Sequence, residues 1–251
     1  IHYLNNYTTL IKNKNDYLKK LMLNSNLDTR FLDVLDEQIV ETGLKIYQFR
    51  NNYINEINEK ISDIFKNYIK NQKISIKYES DYHLNDKDKL INTLKRNRNK
   101  EINLGMTNFG IHRDDFTFYQ NDNNAKEYSS QGIQKLIVLA MKLSEVTIFI
   151  KKYNIYPILL LDDLFSELDE KNRNNIFKSL DKSIQIFITT TDLKNINKKI
   201  SGIAPIKKNI FIKNITMLTK ASNIEYLCLV LVLLIPCTSF ACALSLSSFT
   251  L

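Results

Sequence analysis

Pro157 to Glu170 reads PILLLDDLFSELDE, and this stretch decides the class of fold. Its apolar run, Ile158 to Leu161, does not alternate with polar residues, so a strand here is buried on both faces. Pro157 introduces the strand, and Asp162 and Asp163 end it. A short helix is expected at about 170–180, followed by a second unalternating strand from Ile184 to Thr189. Two such strands joined through a helix imply a parallel sheet covered on both faces, an α/β architecture. In open sheets of this kind the carboxyl edge is where ligands bind. There, Asp162 would hold a Mg²⁺, directly or through water, and Asp163 would orient or deprotonate an attacking water. The competing reading is a strand followed by a helix-capping Asp pair, and the stretch alone does not separate the two.

Upstream, Ser129-Ser130-Gln131-Gly132-Ile133-Gln134-Lys135 opens a long amphipathic helix that reaches about Lys152. A Ser hydroxyl, a Gly that admits close approach and unpaired helix N-terminal N–H groups together suit a phosphate oxygen. An ordinary Ser N-cap accounts for the same residues. Downstream, Thr189-Thr190-Thr191-Asp192 closes the second strand at the same edge. Thr favours strands and Asp ends them, so this motif is equally bland by itself.

Residues 1–72 contain no Pro and one Gly, Gly43. Apolar residues recur at helical spacing from Leu32 through Leu35, Ile39, Ile46, Tyr53, Ile57, Ile61, Ile64 and Tyr68. The spacing predicts a helix over roughly 2–23, a break at 24–28 and a long helix to about 70, a helical arm. Ile74 to Tyr78 alternates and is β-branched, which predicts a strand. A charged helix is expected over 86–100. Thr117-Phe118-Tyr119 is another strand, ended by the turn-forming Asn121-Asp122-Asn123-Asn124.

The 251 residues carry 35 Lys+Arg against 27 Asp+Glu, a formal charge of +8. Such a surface suits a polyanion, nucleic acid or anionic membrane. The 30 Asn, 33 Ile and 29 Lys against 6 Arg and 6 Ala point to AT-rich codons, so part of the Lys excess reflects codon usage. Five Gly, three Pro and three Cys exclude collagen-like and disulfide-scaffold classes. Cys228, Cys237 and Cys242 have no metal-ligand spacing to one another or to the three His. The chain starts at Ile1 without a signal peptide, as a fragment would. Tyr226–Leu251 carries no charged residue and as a helix would run about 39 Å, enough to cross a bilayer core of ~30 Å. Lys207, Lys208, Lys213 and Lys220 would then stay on the cytoplasmic side. Pro236, the Ser/Thr-rich end and the abrupt change of composition argue instead for an appended tail over 224–251 that lies outside the fold.

Taken in order, the motifs resemble those of the RecF family, bacterial recombination-mediator ATPases related to the SMC and Rad50 proteins. The resemblance rests on GIHRDD (Gly110–Asp115), SSQGIQK (Ser129–Lys135), LAMKLSE (Leu139–Glu145), PILLLDDLFSELDE and FITTTD (Phe187–Asp192), and more weakly on DVLDEQIVETG (Asp33–Gly43). It runs from about residue 1 to 215 and is densest over 105–192. It implies an ABC-type ATPase head of the P-loop NTPase class, with a helical arm over 1–72 and the C-terminal half of the head over 73–215. Ser130, Gln131 and Gly132 are then the signature that reaches the γ-phosphate of ATP on another subunit. Asp162 is the Mg²⁺ ligand, Asp163 the catalytic carboxylate, Ser166 to Asp169 the D-loop, and Thr190 lies near the switch position that many ABC ATPases fill with His. The resemblance further implies ATP and Mg²⁺ as cofactors, once a missing N-terminal segment with the Walker A loop is supplied, and an ATP-dependent homodimer with slow, DNA-dependent hydrolysis. It implies duplex DNA near single-strand gaps, RecO and RecR as partners, help in loading RecA, a place in the SOS response, and the cytoplasm as location. A membrane is not an expected partner unless 226–251 tethers the chain.

The chain also departs from that pattern. Ile111 stands where the family writes Pro, Ile133 where it writes Gln, and Lys135 where it writes Arg, which keeps the charge without the bidentate fork. Gly105 and Gly110 have the spacing of a Walker A loop, yet Ile111 and His112 follow where Lys and Ser/Thr belong. The head is therefore expected to be N-terminally incomplete. A non-catalytic remnant and an SMC/Rad50-like chromosome-maintenance ATPase are the alternatives, the latter disfavoured by the short arm. His112-Arg113-Asp114 matches the start of a kinase catalytic loop, but Tyr119 stands where its Asn would be and no Asp-Phe-Gly follows.

Overall fold

The computed structural model describes residues 2–24, 26–162, 172, 175, 180–189 and 230–234. Of the helix expected at about 170–180, only Asn172 and Asn175, both helical, and Leu180 fall among them. The chain forms two compact units, one from residues up to 55 with 76–117, the other from 56–75 with the described residues beyond 117. The division falls within α2 (Arg30–Phe65), β1 (Ile74–Glu79) and β2 (Asp115–Gln120).

In the first unit the expected two-helix arm acquires a third helix. α1 (His2–Leu23) and the first part of α2 are joined by α3 (Lys87–Leu104). Tyr7 and Leu10 pack with Leu35, Ile39, Val40, Ile46, Leu90 and Leu94. Leu18, Leu21 and Leu32 form a second cluster against which Ile102 rests. These pairings run α1 and α3 in the same direction, with α2 antiparallel to both. Asp86 caps α3 by accepting from the Lys89 N–H, and Gly105, at φ 63°, returns its own N–H to the last turn.

The stretch Asp33–Gly43 is now explained residue by residue. Asp33 and Asp36 receive Arg98 of α3 at 2.7 and 2.9 Å. Glu37 and Glu41 hold Lys87 at 3.1 and 2.6 Å. Ile39 and Val40 fill the core, and a Cβ on Gly43 would stand 2.6 Å from the Tyr82 ring, closer than packed atoms approach. Lys14 of α1 is buried with its ammonium 2.7 Å from Asp36 and 2.8 Å from Glu101.

The second unit is built round α5 (Gln131–Tyr153) and a parallel sheet in the order β5-β4-β6. β4 (Ile158–Asp162) lies in the middle, with Leu159 and Leu161 almost fully buried. β5 (Gln185–Thr189) pairs with it in parallel, Ile158 opposite Gln185 through Asp162 opposite Thr189, as the two unalternating runs predict. α5 buries Leu136, Ile137, Leu139, Ala140, Leu143 and Val146, the 3.6-residue stripe of a core helix. β2 turns into β3 (Asn123–Asn124) through Asn121 and Asp122, both with positive φ, the type I′ geometry that suits a hairpin. β1, β2 and β3 form one sheet in that order, and α4 (Ala125–Tyr128) follows it.

The apolar tail differs from expectation. Val230–Leu234, within the stretch expected to lie outside the fold, forms β6 on the free side of β4, in parallel register from Ile158↔Val230 to Asp162↔Leu234. A charge-free run of Leu and Val is also what a parallel strand buried on both faces requires. These five residues are a strand where a membrane anchor would be a helix, and among the described residues no helix is long and apolar enough to cross a membrane. The rest of 224–251 lies outside the described residues. Truncation after Lys220 strips β4 of one of its two partners, leaving unpaired the N–H and C=O groups on that side. The truncated chain is expected to melt several degrees lower by circular dichroism, ~1 kcal/mol being worth roughly 2–4 °C in a domain of this size. An unchanged Tm would mean that β6 contributes nothing to the sheet.

Candidate functional site

The turn that opens α5 is built by three polar side chains. Ser130 is the N-cap, at φ −62° and ψ 156°, and its Oγ accepts from the Ile133 N–H at 3.4 Å. Its carbonyl accepts the Gln134 N–H at 2.9 Å, the first bond of the helix. The Gln134 side-chain amide folds back and donates to the carbonyls of Ala125, Lys126 and Ser129 at 3.3, 3.2 and 3.0 Å. Three carbonyl acceptors fix which end of that amide is nitrogen. Ser129 Oγ donates to Gln120 Oε1, and the Gln120 amide donates to Gln72 Oε1. Asn124 caps α4 by accepting from the Lys126 N–H at 2.9 Å.

The result is a rigid turn with an open front. Ser130, Gln131 and Gly132 are all exposed, and no atom lies within 4 Å of where a Gly132 Cβ would stand. The first N–H groups of this 23-residue helix have no intrahelical partner, and such groups suit an anion. Ser130, Gln131 and Gly132 stand together in the turn at the start of the helix that the sequence predicts.

The second half of the expected site lies at the carboxyl edge of the parallel sheet. Asp162 is the last residue of β4 and sits opposite Thr189, the last of β5. Asp163, Ser166, Asp169 and Thr190 lie outside the described residues. Mg²⁺ takes one or two carboxylates and completes its shell with water and substrate phosphates. A carboxylate ending a strand suits that role, and among the described residues no group of three His, Cys, Asp or Glu forms a cage that would hold a metal alone. Gly105 terminates α3, and Gly110 precedes a single 3₁₀ turn, Ile111–Arg113.

GIHRDD is a structural clamp of the first unit. Gly110 has φ 134°, and a Cβ there would stand 2.5 Å from the Tyr7 hydroxyl. That hydroxyl lies 3.1 Å from His112 Nδ1. Arg50 donates to the Ile111 carbonyl at 2.9 Å and to Asp114 Oδ2 at 3.3 Å. The Asp114 side chain is 2% exposed and also accepts from the Tyr78 hydroxyl, whose ring stacks between Tyr47 and Phe116. Burial pushes the Asp114 carboxyl up, opposed by its bonds to Tyr78, Ser80 and Arg50, and it pushes His112 down. Beside the clamp an open cavity of about 660 Å³ is bordered by Lys77, Glu79, Asp81, His83, Arg113 and Asp115.

Sequence reasoning missed the residues that hold these segments: Tyr7, Arg50 and Tyr78 for the clamp, and Gln72, Gln120 and Gln134 for the turn. Gln134 alone had a local signal, lying inside the motif it braces. The others act across dozens of residues, Arg50 to Asp114 over 64 and Gln72 to Gln120 over 48, where no short pattern is visible.

No protein-family model matches the chain. It is 37% identical over 224 residues to a "DNA replication and repair protein RecF" of Streptococcus thermophilus strain LMD-9, covering 86% of the chain and 58% of that relative. It is 36% identical over 201 residues to a protein of the same description from Streptococcus agalactiae strain A909, covering 77% and 53%. A solved structure of the recombination mediator protein RecF with ATP, in the RecFOR pathway, superposes with a TM-score of 0.69 at 32% identity, over 77% of this chain and 53% of that one. A second, of the RecF-ATPrS form, gives 0.68 at 29% over 76% and 53%. The chain therefore spans somewhat more than half the length of the relatives it matches.

Replacing Gln134 by Ala removes the brace behind Ser129 and leaves the Lys126 and Ser129 carbonyls to find other donors, while Ala125 keeps the Ser129 N–H. Amide hydrogen exchange over residues 126–132 is expected to speed at least tenfold, while the middle of α5 stays protected. Unchanged exchange in the turn would show that Ser130 needs no such support.

Proposed function

Because the chain belongs to the RecF family, we propose that the full-length protein is an ABC-type ATPase that binds duplex DNA near single-strand gaps and, with RecO and RecR, helps load RecA. The observation that carries this reading is the braced, open turn of Ser130, Gln131 and Gly132 on a long helix of an α/β unit. An N-cap that served only its own helix would need neither the vacant front nor the three-carbonyl brace.

In this reading the turn meets the γ-phosphate of ATP held by a second copy. Phosphoryl transfer asks little covalent chemistry of a protein, and catalysis is positioning and charge stabilisation. Ser130 Oγ and the N–H groups of Gln131 and Gly132 would donate to equatorial oxygens, where charge gathers. Asp162 would hold Mg²⁺, which neutralises charge on the phosphates. Asp163 would orient the attacking water. Ser166 to Asp169 would cross between copies as the D-loop, and Thr190 would contact the same phosphate from the neighbouring strand. ATP would thereby join two copies, and hydrolysis would part them. Such a protein works in the cytoplasm, where the DNA is, and its repair role belongs to the SOS response. The 36 residues of α2 span about 54 Å, which favours this family over SMC/Rad50-like proteins with long coiled coils.

In the full-length protein, Asp163→Asn is expected to leave ATP affinity within about threefold of wild type while slowing hydrolysis at least a hundredfold, the effect of losing a water-orienting group and not a metal ligand. Equilibrium titration with a fluorescent ATP analogue and a phosphate-release assay read the two separately. Wild-type turnover in this variant would remove Asp163 from the mechanism.

A further inference from the structure

The charges of the three-helix unit are sorted by face. Among the described residues, three cations of α1 and α3 pair with acids of α2: Lys14 with Asp36, Arg98 with Asp33 and Asp36, and Lys87 with Glu37 and Glu41. Six others are different. Lys12, Lys19 and Lys20 of α1 and Lys95, Arg96 and Lys100 of α3 are exposed, and none makes an ion pair among the described residues. The acids of these two helices hardly offset them. α1 has Asp16 alone, and α3 has Asp88 in its first turn and Glu101, which is buried against Lys14.

We propose that this outward face of α1 and α3 binds the phosphate backbone of duplex DNA. Arg96 and Lys100 stand one helical turn apart, about 6 Å along the axis. That is close to two phosphates along one strand, at ~3.4 Å of axis each. Lys12 and Lys19 repeat over two turns of α1, which runs in the same direction as α3, and the Lys19 stem lies along Gly105 at the end of α3. The exposed Asn92 and Asn99 neighbour the α3 cations, and their amides are of the kind that donates to phosphate and sugar oxygens. An anionic membrane would instead demand apolar side chains among the cations. The exposed Met22, Leu23, Leu104 and Met106 are confined to one end of the two helices, beside Lys19, Lys20 and Lys100, and none lies near Lys12, Lys95 or Arg96 in sequence. Contacts of this kind read no bases, which suits a protein whose target is a DNA structure and not a sequence.

The proposal rests on the DNA-binding part of the function proposed above, and its test separates the two. Fluorescence anisotropy with a labelled duplex, across a range of salt concentrations, compares full-length wild type with Lys95→Gln/Arg96→Gln/Lys100→Gln. All three positions are exposed, so the variant should keep its Tm. Binding is expected to weaken at least tenfold near ~100 mM salt, and the slope of log K against log[salt] to fall by about 2–3, roughly 0.9 per lost phosphate contact. Lys66→Gln, at an exposed position paired with Asp63 in the other unit, should change neither. If wild type binds duplex and the triple variant binds equally well, the face is wrongly assigned while the family reading stands. If wild type binds no duplex, both fail. If phosphatidylserine vesicles are bound as tightly as DNA and the triple variant loses them, the face belongs to a membrane and the proposal is overturned.

Discussion

One buried ammonium fixes the first unit. Lys14 is 1% exposed and lies between Asp36 and Glu101, which are equally buried. A charge taken from water costs several kcal/mol unless partners surround it, so the three groups are tolerated only together. Arg98 adds a second cation to Asp36, linking α3 to α2 again. Apolar packing alone would let the helices slide, because one leucine layer resembles the next, whereas an ion cluster has a single register in which every charge is paired.

The register of α1 then places everything at the GIHRDD end. With Lys14 fixed, Tyr7 two turns earlier meets His112, and Asn15 next to it accepts the Thr107 N–H at 2.7 Å. Gly110 has no room for a Cβ because Tyr7 stands there. Arg50 and Tyr78 then hold Asp114 from two other elements. The same register turns Lys12 and Lys19 outward while Leu10, Leu18 and Leu21 go in. The second unit relies on neutral amides, Gln72, Gln120 and Gln134, to brace the turn before α5.

Where local pattern and tertiary demand agree, the fold was legible. The runs Ile158–Leu161 and Ile184–Thr189 read as unalternating strands, and the structure pairs them in parallel. Ser130 before an amphipathic run reads as an N-cap and is one. Lys14 was not legible, since a lysine inside an apolar stripe looks like the edge of that stripe until Asp36 and Glu101 are known to face it. α3 read as a merely charged helix, because only Leu90, Leu94 and Glu101 are buried on it. The tail misled for the opposite reason: an apolar segment without charge fits an anchor, an accident or a buried parallel strand, and only the partner, β4, decides.

Under the proposed function, Ser130, Gln131 and Gly132 form half of a site that another copy completes. Mixing two inactive forms of the full-length protein tests this most directly. Ser130→Arg blocks the turn but keeps Asp163, and Asp163→Asn keeps the turn. Each alone should hydrolyse ATP at background rate. In an equimolar mixture, half the dimers pair an intact turn with an intact carboxylate at one of two sites, so phosphate release should recover to about a quarter of the wild-type rate. A mixture as inactive as its components would contradict the account, because the turn and the carboxylate would then serve the same nucleotide within one chain.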